Sequence, residues 1–93
     1  MKETGKPCIH YTELPDVPPD DMYVREWNTF RRELPRLLVE GNEGMFVLLK
    51  GTEIIGIFDT WDEGYQAGLD RYLLNGFLVQ PIQTWQPVLR VRR

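Results

Sequence analysis

The chain predicts an α+β domain, α/β-like in its central crossover. It is a small single domain ordered α-β-β-α-β, with a three- to four-stranded mixed sheet, two helices and room for a short C-terminal edge strand. Three observations predict it. Apolar residues recur at helical spacing between Tyr23 and Leu38. Two short apolar runs flank the turn Lys50-Gly51-Thr52-Glu53. A second helical stripe, opened by capping residues, then leads into Phe77-Leu78-Val79. Ninety-three residues suit one domain.

Residues 1–19 differ in texture from residues 20–93. Pro7, Pro15, Pro18 and Pro19 sit among Lys, Glu, Thr and Asp, with few apolar residues. Proline removes backbone donors and biases the chain to extended conformations, so this stretch reads as a flexible, proline-rich arm rather than a helix or inner strand. Its scattered apolar residues Ile9, Tyr11, Leu14 and Val17 allow the other reading, an arm that packs on its own domain or on a partner. The composition leans slightly to the tail.

Asp20 and Asp21 are N-cap candidates for the first helix. Tyr23, Trp27, Phe30, Leu34, Leu37 and Leu38 give one apolar stripe; Arg25, Glu26, Arg32, Glu33, Arg36 and Glu40 take most other positions. Pro35 forfeits a hydrogen bond and predicts a kink or break at Leu34. Gly41 terminates the helix. Met45-Phe46-Val47-Leu48-Leu49 and Ile54-Ile55-Gly56-Ile57-Phe58 are strands apolar on both faces, hence covered on both sides. Two helices can cover opposite faces, or both sit on one face while a second subunit covers the other.

The second helix has stronger punctuation. Thr60 and Glu63 match a capping box, and Asp62 suits the positive end of the helix dipole. Trp61, Tyr65, Leu69, Tyr72 and Leu73 form its stripe, of which Trp61, Tyr65 and Leu69 are expected to pack on the sheet, while Ala67 and Gly68 permit close approach. Gly76 offers a left-handed C-cap. The strand–helix–strand crossover sets the third strand parallel to the second. Pro81 and Pro87 push residues 88–93 toward an edge.

Fourteen acidic residues against eleven basic ones argue against a nonspecific grip on nucleic acid. The single cysteine, Cys8, cannot form an internal disulfide and suits a cytoplasmic home. No stretch approaches the roughly 20 apolar residues of a membrane span.

The chemistry-bearing clusters are weak. Asp59-Thr60-Trp61 resembles the Asp-Thr-Gly of retropepsin-like aspartic proteases, but Trp61 replaces the glycine and a capped helix follows. Asp59, Asp62 and Glu63 are explained by the helix dipole alone; an enzyme reading would make Asp59 a base assisted by Asp62 or Glu63. Cys8 and His10 lack a second ligand pair. No catalytic residue, metal site or cofactor is expected. Arg90, Arg92 and Arg93, with Arg31, Arg32 and Arg36 beside Trp85, form a candidate basic patch for an accessory nucleic-acid role. Trp85 in the polar loop Gln83-Thr84-Trp85-Gln86-Pro87 is a candidate interface anchor or a cap on the core. With Ile9, Tyr11 and Leu14 it completes the candidate interface.

Gly44-Met45-Phe46-Val47-Leu48-Leu49-Lys50-Gly51, Gly56-Ile57-Phe58-Asp59-Thr60-Trp61-Asp62-Glu63 and Phe77-Leu78-Val79-Gln80 carry a resemblance. Over Trp27 to Val91 the chain resembles a group of small uncharacterised bacterial proteins sharing a hairpin, a helix opened by Asp-Thr and acidic residues, and a following strand. The resemblance implies no activity and no catalytic residues. An association of that group with retropepsin-like proteases would imply a role as partner or substrate of such an enzyme. The leading expectation is a noncatalytic protein-interaction or self-assembly module, binding another protein or forming a homo-oligomer.

Overall fold

The computed structural model describes residues 8–73 and 75–87. In order they form β1 (Cys8–His10), a 3-10 turn (Tyr11–Glu13), α1 (Val24–Val39), β2 (Phe46–Lys50), β3 (Glu53–Phe58), α2 (Trp61–Tyr72), β4 (Leu78–Pro81) and β5 (Trp85–Pro87). The architecture is α+β: a three-stranded sheet in the order β3-β2-β4 and a two-stranded ribbon of β1 and β5.

β2 is central because it is apolar on both sides, and Val47, Leu48 and Leu49 are all fully buried. The crossover through α2 carries the chain past β2 to its far side. β3 and β4 therefore run in the same direction without touching, and every neighbouring pair is antiparallel. The parallel neighbours of a mixed sheet do not form. Pairing of β2 with β3 slips between Leu48 and Leu49, where Leu48 faces Gly56 but Leu49 faces Ile54, leaving Ile55 as the extra residue. The bulge puts Ile54 and Ile57 on one face, where strict alternation would separate them.

That face packs on α1. Phe30, Leu34 and Leu37 are fully buried against Val47, Leu49 and Ile82, with Leu14 completing the cluster. α1 runs through Pro35 as one helix, without the expected break. Neither Asp20 nor Asp21 is its N-cap. The helix begins one turn later, at Val24, and Asp21 instead takes the amide of Tyr23 at 2.8 Å. Its end follows the Schellman pattern: Gly41 at φ 85° donates to the Leu38 carbonyl at 3.1 Å and Asn42 to the Leu37 carbonyl at 3.2 Å.

α2 covers the opposite face, so the chain's own two helices enclose the sheet and no second subunit is needed to cover it. Thr60 caps α2, its hydroxyl accepting from the Glu63 amide at 3.1 Å. The buried stripe of α2 differs from the expected one. Gly64 and Gly68 are its buried residues, and a Cβ on Gly64 would lie 3.1 Å from Val79 Cγ1. Trp61 and Tyr65 stack on each other at 4.7 Å and remain 44% and 40% exposed. Large aromatic rings cannot enter a contact that brings helix backbone this close to the sheet. Leu73, not Gly76, takes the positive φ at the helix end, 51°, and is exposed.

Candidate binding cleft

The arm is laid along the domain over its described part, residues 8–19. β1 pairs with β5 in the register Cys8 to Pro87, Ile9 to Gln86 and His10 to Trp85. The Tyr11 amide extends this ribbon by donating to the Thr84 carbonyl at 2.8 Å. Leu14 enters the core, Trp27 Nε1 donates to the Pro15 carbonyl at 2.8 Å, and Asp16 pairs with Arg31. The lean toward a free tail therefore gives way, for residues 8–19, to a docked arm. A proline-rich segment has little helical or ladder potential of its own, and its anchors lie at distant positions that local composition does not reveal.

Between this arm and the sheet lies a cleft of about 550 Å³. Ile9, Leu14, Pro15 and Val17 form the arm wall. Tyr23 and Trp27 come from the start of α1, and Leu78, Gln80 and Pro81 from β4. The walls are mostly apolar, and the volume lies within the roughly 300–1,000 Å³ range of ligand sites. Glu13 and Asp21, both exposed, add two carboxylates, and among the described residues no lysine, arginine or histidine lines the cleft.

Gln86 also lines it, on β5, and is 1% exposed. Its Nε2 donates to the Pro81 carbonyl at 3.0 Å and the Gln83 carbonyl at 2.8 Å, which fixes the amide's orientation. Its Oε1 accepts from no donor among the described residues. A buried acceptor without a donor is costly, so this oxygen is an unmet polar group on a residue that lines the cleft.

The other sequence candidates are dispersed. Trp85 does not cap the core: it is 59% exposed, with His10 edge-on at 5.2 Å. Ile9 and Tyr11 are half-buried against the core and Leu14 is within it, so of the candidate interface Trp85 alone is broadly exposed. Arg90, Arg92 and Arg93, with the strand expected at 88–93, lie outside the described residues. Arg31, Arg32 and Arg36 already hold partners: Asp16 for the first, Glu33 at 3.1 Å for the second, Glu33 and Glu40 at 2.7 and 3.0 Å for the third. Arg36, and then Arg32, hold the Glu33 carboxyl below the usual carboxylate range by hydrogen bonding to its charged form. Asp59, Asp62 and Glu63 are exposed at the start of α2 and line no cleft described here. His10 Nδ1 lies 2.8 Å from Thr12 Oγ1. Among the described residues no group of three or more His, Cys, Asp or Glu could hold a metal ion, and no helix is long and apolar enough to cross a membrane.

Sequence reasoning missed a clamp that braces the molecule beside the cleft. Glu26, placed by pattern off the apolar stripe of α1, is buried, and so is Thr29. Glu26 accepts from the Gly51 amide at 2.5 Å, and Thr29 Oγ1 donates to the Gly51 carbonyl at 2.9 Å. α1 thus holds both backbone groups of Gly51 in the β2–β3 turn, where φ is 61°. The available signal was spacing: Glu26 stands one turn before Phe30 on the buried stripe.

Comparison with protein families, with curated proteins and with solved structures finds no match for this chain.

Proposed function

We propose that the protein is a noncatalytic interaction module that holds an extended segment of another protein in the cleft between the arm and β4. One observation carries this reading: an apolar cleft of about 550 Å³ walled by a docked arm and by an edge strand. Among the described residues β4 pairs only with β2, which leaves its other backbone edge to an added strand. Main-chain hydrogen bonds to such an edge give affinity, and pockets for alternate side chains give specificity. Pro81 restricts pairing to the Leu78 end, since proline has no N–H to donate.

Self-association is the weaker form of the same reading, because α2 occupies the sheet face that a second copy would have covered. A retropepsin-like protease as partner and a cytoplasmic location belong to the proposal as expectations. The test is titration of isotope-labelled protein with extended peptides, followed by amide NMR. Shifts concentrated at Ile9, Val17, Leu78, Gln80 and the Trp27 indole N–H are expected. Binding that moves only Trp61, Tyr65 and their neighbours on α2 would place the interface on the other side and overturn the reading.

A further inference from the structure

We infer that the segment taken by the cleft is basic as well as apolar: a linear peptide in which arginine or lysine alternates with aliphatic residues. This rests on the cleft being the docking site. Two independent features select the ligand. The first is charge: Glu13 and Asp21 line the cleft, and among the described residues no cation does. Asp21 commits one oxygen to the Tyr23 amide at 2.8 Å, and Glu13 makes no hydrogen bond or ion pair among the described residues. Both carboxylates are thus able to accept from a guanidinium or ammonium group, which donates only. The second is the buried Oε1 of Gln86, which needs an N–H or O–H donor from whatever enters.

An aliphatic–basic peptide meets both demands and suits the apolar walls. Its aliphatic side chains replace water against Leu78, Val17 and Trp27, its cationic heads stay at the wetter carboxylates, and an inserted N–H reaches Gln86. An acidic peptide would set like charges together. A purely apolar one would leave Glu13 and Asp21 partly desolvated with nothing to pair with.

The test uses the full chain and three acetylated, amidated hexapeptides in which leucine alternates with arginine, with glutamine or with glutamate. Binding is measured by calorimetry at about 50 mM salt, where exposed charges are only partly screened, and located by NMR. The arginine peptide is expected to bind tightest and to shift the Trp27 indole N–H and the Gln86 side-chain amide. The double variant Glu13→Gln with Asp21→Asn keeps shape and the Tyr23 bond; it should weaken binding roughly five- to tenfold, as two exposed ion pairs would. Asp62→Asn with Glu63→Gln, on α2, should leave binding unchanged.

Equal binding of the arginine and glutamine peptides in the cleft would overturn the basic preference while sparing the cleft as a docking site. Arginine-peptide binding weakened equally by both double variants means attraction to net charge alone, and overturns the inference. Failure of all three peptides to shift any cleft residue would overturn both readings.

Discussion

On one face of the sheet, Val47 and Leu49 meet Phe30, Leu34 and Leu37, all with no appreciable exposure. On the other, Val79 and Phe58 meet Gly64, and Phe77 lies against Gly68. Both faces are covered, yet the first is closed by interlocking large side chains and the second by bringing backbone close. Burial of apolar area and dense packing dominate stability on the α1 side. On the α2 side the same sheet is covered by a helix whose largest residues, Trp61 and Tyr65, remain at the rim. A side chain's size is therefore a poor guide to its energetic weight in this molecule.

Truncation exposes that difference most directly. Phe30→Ala should cost about 3–5 kcal/mol, the usual range for a fully buried phenylalanine. Tyr65→Ala should cost under about 1 kcal/mol, since its ring is 40% exposed. Urea midpoints for the two variants make the check. Similar losses would mean that the stacked pair of Trp61 and Tyr65 carries as much of the fold as the α1 core does.

Small-to-large changes probe the α2 side in the opposite sense. A Cβ on Gly68 would overlap the Phe77 ring, itself wedged near Tyr65 and Tyr72 at 5.5 and 6.4 Å between centroids. Alanine gains about 1 kcal/mol in helix propensity, but overpacking costs about 1–3 kcal/mol. Gly68→Ala should therefore destabilise by up to about 2 kcal/mol, and Gly64→Ala, with 3.1 Å to Val79, by less than half of that. A Gly68→Ala protein more stable than the parent would show that the helix has room to back away.

The same contrast explains what could be read from the residues beforehand. The α1 stripe was legible because Phe30, Leu34 and Leu37 obey the helical period and are large. The α2 contact was not: glycine carries no hydrophobic signal, while Trp61 and Tyr65 send a strong one that leads to the wrong stripe. Strand positions were legible, but the order β3-β2-β4 depended on the crossover passing an intervening strand, which local sequence does not encode. The cleft was least legible of all. Ile9, Leu14 and Leu78 were visible as apolar residues, yet only the pairing of Cys8–His10 with Trp85–Pro87 assembles the arm wall, and that pairing spans nearly the whole chain. Gln86, as one polar residue in a polar loop, gave no sign of being buried.

Capping gives a smaller effect. Thr60→Ala removes the acceptor for the Glu63 amide and should cost about 1 kcal/mol. The loss should appear chiefly as faster amide exchange in the first turn of α2, with α1 amides little changed. Equal acceleration in both helices would mean that the two faces unfold as one unit even for local openings.

The smallest effect concerns acid, and it separates the outer surfaces of the two helices. Arg36 and Arg32 keep the Glu33 carboxyl below its ordinary range on α1, whereas the outer surface of α2 has only the bond from Gln66 to Asp70 at 3.3 Å. A carboxyl whose folded pKa lies below its unfolded value adds stability that is fully present above the unfolded value, near 4.3. That contribution is lost as pH falls through the folded value. Glu43, lowered by its bond from the Thr84 amide at 2.9 Å, titrates in the same window and must be separated by its own variant. Glu33→Gln should cost a few tenths of a kcal/mol at pH 7, as exposed ion pairs do. It should also flatten the decline in stability below about pH 4.5, where the parent protein begins to protonate. Denaturant titrations of the parent, Glu33→Gln and Glu43→Gln proteins across this window provide the check. An unchanged slope in Glu33→Gln would show that the arginine contacts on α1 are as dispensable as the bare outer surface of α2.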